Sequence, residues 1–191
     1  MDEPGTRAAI GRALLELLAE GGAVSYGAAA TRAGVSKGLV QHYFPDRTRL
    51  VRFAAATVAE RLGARLRDAM SDPTADAVAD PAAALAEALV ALLPATADSR
   101  LDEAAGRALF ALALTDPETN RTYRDGRRAL TGMVRDLLAA AAPGHAPDRR
   151  AETARDLLGT LGELGTDLAL GEISATEAAR ALRERVRAAV G

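Results

Sequence analysis

The side chains best suited to chemistry sit between Ser36 and His42. On a helix, Lys37, Gly38, Gln41 and His42 fall at i, i+1, i+4 and i+5 and so share one side, with Ser36 just ahead of them. None of the five is apolar. A serine hydroxyl there can cap the helix, and a lysine ammonium can reach a phosphate or the edge of a guanine. A glutamine amide can pair twice with adenine N6 and N7, and a glycine lets the backbone approach a partner closely. Each residue alone is an ordinary solvated side chain. Together they form a donor and acceptor set suited to the major groove of duplex DNA.

Such a set needs a rigid support. A helix-turn-helix supplies one if a small residue sits where its two helices cross, a residue tolerating left-handed backbone makes the turn, and apolar residues line both inner sides. Ala30, Gly34 and Val40 take those roles in the spacing A-x3-G-x5-V, and Ala29, Ala33, Val35 and Tyr43 complete the inner face. Three of the six aromatic residues, Tyr26, Tyr43 and Phe44, fall within residues 26–44, which marks this segment for tight packing.

The rest of the chain reads as helix throughout. Alanine, leucine, arginine and glutamate dominate, and β-branched and aromatic residues are too sparse to build a sheet. We therefore expect an all-α fold of about nine helices. The first carries Ile10, Leu14, Leu17 and Leu18 on one face and stops at Gly21-Gly22. Two short helices follow over 26–33 and 37–43. Asp46 caps a long helix striped by Leu50, Ala54, Val58, Leu62 and Leu66, which runs to about Met70. Prolines at 45, 73, 81, 94, 117, 143 and 147 punctuate the pattern. Asp80-Pro81 and Asp116-Pro117 each place a capping acid before a first-turn proline, and Ser99 is expected to open the helix between them. Residues 143–148 read as a loop, and Ser174 with Glu177 as the capping box of a last helix over 175–190.

Composition narrows the function. A chain of 191 residues with 49% hydrophobic content can fill a proper core. It has no cysteine, and only His42 and His145 could act as imidazole ligands, so no metal site and no cofactor are expected. No nucleophile with its base, glycine-rich phosphate loop or Gly-x-Ser-x-Gly elbow is present, so no catalytic residue is assigned and an enzyme is not expected. No apolar run is long enough to span a membrane, and Met1-Asp2-Glu3-Pro4 lacks the basic and apolar pattern of a signal peptide, which leads us to expect a cytoplasmic protein. The net charge of −2 is unevenly spread: residues 1–70 carry +3 and the remainder −5. The basic excess thus accompanies the segment that would meet phosphates.

The run Ala33-Gly34-Val35-Ser36-Lys37-Gly38-Leu39-Val40-Gln41-His42-Tyr43-Phe44-Pro45, continuing through Asp46, Arg47, Thr48, Arg49 and Leu50, resembles the signature of tetracycline-repressor-like (TetR) transcriptional regulators. The resemblance implies a DNA-binding domain over residues 1–46, a connecting helix over 47–70 and a ligand-binding and dimerisation domain over 71–191. It also implies phosphate contacts from Tyr43, Arg47 and Ser25. The chain departs from the family where Leu39 and Gln41 replace the usual Thr and Tyr, and where Ala29 replaces a bulky Ile; Leu39 can touch a thymine methyl but cannot hydrogen-bond a phosphate. Residues 107–123 and 162–171 loosely resemble the choline-regulator-like subgroup. On the helices that would surround the family's cavity, Arg107, Phe110, Leu114, Tyr123, Met133, Glu163 and Asp167 are the candidate pocket residues, and an inward Arg107 would suit an anionic group on the ligand.

The last two helices carry more apolar residues than one helix pair buries between its own faces. Leu157, Leu161, Leu164, Leu168, Leu182 and Val186 are the candidate dimer contacts, with Gly159, Gly162 and Gly165 permitting close helix approach; the other use for the leucines is to close the core of the single chain. The expectation is a homodimeric, sequence-specific regulator, a repressor that leaves its double-stranded operator when a small-molecule inducer binds. The alternative is an all-α protein-interaction module that turns the same basic helices to an acidic partner without specific DNA binding.

Overall fold

A computed structural model describes residues 3–71 and 80–191. Among the described residues there are nine helices and no strand. These are α1 (Glu3–Ala19), α2 (Tyr26–Ala33), α3 (Lys37–Tyr43), α4 (Arg47–Ser71), α5 (Pro81–Val90), α6 (Ala97–Ala113), α7 (Pro117–Ala141), α8 (Pro147–Leu170) and α9 (Ala175–Val190). The expected break at Pro73 lies outside the described residues. None of the helices is long and apolar enough to cross a membrane.

The ends of these helices follow from local chemistry. The Asp46 carboxylate accepts the Arg49 N–H at 2.7 Å, Asp80 that of Ala82 at 2.8 Å and Asp116 that of Thr119 at 2.7 Å, so all three expected acidic caps form. Ser174 and Glu177 close their capping box from both sides. The start of α6 differs from expectation. Ser99 lies inside the first turn, and Thr96 stands ahead of it. The Thr96 hydroxyl accepts the Ser99 N–H at 3.1 Å while the Ser99 hydroxyl accepts the Thr96 N–H at 2.9 Å. Serine in the third position of a helix serves as the reciprocal half of a cap, a role that sequence spacing does not separate from the cap itself.

The chain packs as two compact units. One comprises the residues up to Glu60 together with Leu101–Gly126; the other comprises Arg61–Arg100 with Arg127–Gly191. The expected boundaries at 46 and 70 followed function, whereas the packing boundaries fall inside α4, α6 and α7. In the first unit Ile10, Leu14 and Leu15 of α1 are fully buried with Leu50 and Ala54 of α4. Small residues bring the helices together: a Cβ on Gly11 would meet the Thr57 hydroxyl at 3.2 Å, and one on Gly126 of α7 would meet Ala59 of α4 at 3.6 Å.

The second unit has its own core, built from Leu85 and Leu89 of α5, Val134 and Leu138 of α7, Ala154 and Leu157 of α8, and Leu182 and Val186 of α9. A paired contact joins its first and last helices, Arg183 donating to both carboxylate oxygens of Glu87 at 2.6 and 2.9 Å. Leu157, Leu182 and Val186 were expected at the dimer interface, but each is fully buried within the single chain. Their apolar surface is already covered, so they cannot serve as interface side chains. Gly165 is likewise buried. Leu182→Ala should therefore destabilise the chain itself by about 2–5 kcal/mol, the cost of an aliphatic truncation at a closed site, which a urea titration followed by circular dichroism will read as a lower midpoint.

Candidate nucleic-acid interface

The candidate reading surface is built on two helices of eight and seven residues, too short to persist alone. Their junction is a reversed turn. Gly34 takes φ +68°, its N–H donates to the Thr31 carbonyl at 3.4 Å, and the Val35 N–H donates to the Ala30 carbonyl at 3.0 Å. Both are bonds of a left-handed C-cap, a conformation that glycine adopts without a Cβ penalty. Two residues on, the Ser36 hydroxyl accepts the Leu39 N–H at 3.1 Å and starts α3 in its new direction. The inner side is closed by Ala29, Ala30, Val40 and Phe44, all buried, and Phe44 stacks on Phe53 of α4 with centroids 4.8 Å apart. The Arg7 guanidinium lies over the Phe53 ring, 5.3 Å from its centroid.

With Val40 and Phe44 turned in, helical periodicity turns Ser36, Lys37, Gly38, Gln41 and His42 out, and all five are exposed. Leu39 and Tyr43 are half-buried at the edges, with Tyr43 between the His42 ring at 5.7 Å and the Phe44 ring at 6.3 Å. Ser25 is exposed and caps α2, accepting the Ala28 N–H at 3.2 Å; a hydroxyl so engaged keeps its own hydrogen for another acceptor. Arg47 is also exposed, but its Nε donates to the Val24 carbonyl at 3.1 Å. This bond ties the first residue of α4 to the residue ahead of Ser25. Arg47 therefore also positions the start of α2.

Sequence spacing missed the clamp between α1 and α2. Arg32 reaches back twelve residues to Glu20 with two bonds of 2.8 and 2.7 Å, lies 3.5 Å from Glu16, and Glu16 is held in turn by Arg12 at 3.0 Å. A bidentate guanidinium and carboxylate pair fixes angle as well as distance. It also holds the Glu20 carboxyl below its ordinary range, chiefly through the hydrogen bond from Arg32. Phe53 was missed too, because the aliphatic stripe of α4 passes beside it; an aromatic three residues after Leu50 was the available signal.

The seven candidate pocket residues are not brought together within either unit. Arg107, Phe110, Leu114 and Tyr123 belong to the first, and Met133, Glu163 and Asp167 to the second. Arg107 lies along the outside of α6, bonded to Glu103 at 2.9 Å, so the expectation of an anionic ligand group resting on an inward Arg107 is withdrawn. Phe110 and Leu114 are 46% and 68% exposed, and Phe110 stacks against Tyr123 with centroids 5.6 Å apart. In the second unit Met133 packs against the core, Asp167 is half-buried and Glu163 is exposed.

No protein-family model and no curated protein sequence matches the chain. Its fold does match solved structures. A transcriptional regulator from Rhodococcus sp. Rha1 superposes with a TM-score of 0.77 at 26% identity, over 94% of this chain and 93% of that one. A TetR-family transcriptional regulator from Rhodococcus sp. reaches a TM-score of 0.84 at 19% identity, over 98% and 100%. A transcriptional regulator from Saccharomonospora viridis, solved in complex with choline, reaches 0.78 at 15% identity, over 97% of each chain. The fold is that of TetR-family regulators.

The clamp sets a pH dependence. Because the folded state lowers the Glu20 pKa, the unfolded chain binds the extra proton as acid is added. The stabilisation is thus present above the ordinary carboxylate range and lost as pH falls through the lower folded value. Urea midpoints of the wild type and Arg32→Ala should differ at neutral pH and converge at strongly acidic pH; a constant gap would show that the clamp adds nothing through charge.

Proposed function

We propose that this chain is a homodimeric, sequence-specific transcriptional regulator, a repressor that leaves its DNA operator when a small molecule binds. One observation carries the DNA-binding reading. The exposed side of α3 presents Ser36, Lys37, Gly38, Gln41 and His42, and the opposite side is locked by buried Val40 and Phe44. Lys37 and Gln41 meet base edges in the major groove, with His42 beside them. Ser25, Tyr43 and Arg47 hold the flanking phosphates, and Leu39 offers an apolar contact to a thymine methyl.

Pairing supplies the second half-site. A two-fold dimer places two recognition helices one DNA turn apart, about 34 Å, on a pseudo-palindromic operator. Two glycines on α8 support a close helix contact there. Gly159 and Gly162 are exposed, and a Cβ at either would meet nothing within 4 Å. A glycine inside a helix costs about 1 kcal/mol against alanine, and packing within the chain gives no reason for either. Half-buried Leu161, Leu164 and Leu168 lie on the same helix and remain the leucines available to line such a contact.

The choline-bound neighbour supports a small-molecule effector for this chain also. Release from DNA requires only that the effector prefer the conformation in which the two heads no longer match the operator spacing. A regulator of this kind acts from the cytoplasm.

Binding to duplexes selected from a random pool, measured at several salt concentrations, tests the reading. Gln41→Ala should cost about 1–3 kcal/mol on the selected site and relax preference at one base pair. Arg47→Ala should weaken all sequences about equally and lower the salt slope. Binding that shows neither salt dependence nor sequence preference would instead favour the protein-interaction module. The dimer is tested at α8. A Cβ at Gly162 meets nothing within 4 Å, so in Gly162→Leu thermal stability of the protomer should hold while sedimentation shows monomer; a persisting dimer would remove α8 from the interface.

A further inference from the structure

The first unit carries an acidic device beside its DNA-facing end that no sequence signal assigned to DNA binding. Within this unit two contacts between α4 and α7 follow in the same chain order on both helices. Near one end of the pair Ala59 of α4 touches the Gly126 position of α7. Further back, Arg52 of α4 shares a shallow polar groove with Glu118, Arg121, Thr122 and Asp125 of α7. At 1.5 Å per residue, twelve residues of α4 and ten of α7 cover nearly equal lengths. The register therefore carries Asp116, the cap of α7, to the same end as Arg47, the first residue of α4.

The Asp116 carboxylate is fixed there. It accepts the Thr119 N–H at 2.7 Å, and Thr119 is itself buried. Hydrogen bonds from the Thr119 side chain and from its N–H hold the Asp116 pKa below the ordinary range, with smaller contributions from the charges of Arg47 and Arg121, so it stays ionised at neutral pH. Arg121 pairs with Glu118 at 3.3 Å. Arg47 is anchored through Nε to the Val24 carbonyl, which keeps its charge next to Ser25. A fixed anion and a phosphate-binding cation thus share one small region.

We infer that Asp116 restrains DNA affinity by competing with backbone phosphate for the charge of Arg47, which makes it an affinity-setting residue outside the helix-turn-helix. The inference rests on the DNA-binding reading above. A phosphate arriving at Arg47 meets a guanidinium already partly neutralised, and it also feels direct repulsion from the carboxylate. Both effects act through space and are screened by salt, whose screening length is about 10 Å at 0.1 M. They therefore fade as salt rises, which loss of a structural bond would not.

Asn caps a helix about as well as Asp, so Asp116→Asn removes the charge and keeps the turn. The full-length chain, Asp116→Asn, Arg47→Ala and the double variant are titrated against a random-sequence 30-base-pair duplex between 0.05 and 0.3 M salt. We expect Asp116→Asn to bind about three- to tenfold more tightly at the lowest salt, the gain to shrink towards the highest, and most of it to vanish in the Arg47→Ala background. Unchanged affinity, a gain independent of salt, or a full gain without Arg47 would overturn the inference. Asp116→Ser, another good cap, repeats the measurement if the Asn variant melts early. If the wild type binds neither this duplex nor any selected one, the DNA-binding reading falls and this inference with it; binding by the wild type with no effect of Asp116 removes the inference alone.

Discussion

A helix of seven residues does not hold its shape in water, because the cost of ordering the first turn is recovered only over a longer run. α3 persists because its inner residues are buried against its neighbours. Val40 is fully buried, Phe44 nearly so, and the Phe44 ring rests on Phe53. That burial is the constraint from which the proposed reading surface follows. It sets the rotation of α3 about its axis, and rotation decides which residues face out. A slip of one residue would turn each position by about 100° and bring Gln41 towards the core in place of Val40.

Orientation is held by polar contacts around this apolar centre. The left-handed turn at Gly34 sets the angle between α2 and α3, Ser36 begins the second helix, and the Arg32 clamp fixes the first against α1. Arg47 ties the start of α4 to Val24, one residue before the cap of α2. Exposed ion pairs are individually weak. Their value here is geometric, since each bond defines the direction of a helix whose far face carries the candidate contacts.

The two compact units do not follow the order of the chain. The first unit includes Leu101–Gly126, so the turn between α6 and α7 belongs with α1–α3. The second closes its own core with Leu157, Leu182 and Val186, while Leu161 and Leu164 of α8 pack half-buried at its edge. The long helices α4, α6 and α7 contribute residues to both units.

The sequence by itself determined the helices and the exposed set on α3. Period 3.6 in the apolar residues, acids before Pro81 and Pro117, and glycine after α1 and α2 are local signals, read within one or two turns of chain. The same holds for Lys37, Gln41 and His42, whose common face follows from spacing alone. Only the tertiary structure decided which leucines close the core, because Leu157 and Leu161 on one helix carry the same periodic signal. It also revealed the link of Arg32 to Glu20, the tie of Arg47 to Val24 and the outward course of Arg107. These depend on where separate helices meet, and long charged side chains reach across such junctions in directions that no local period encodes.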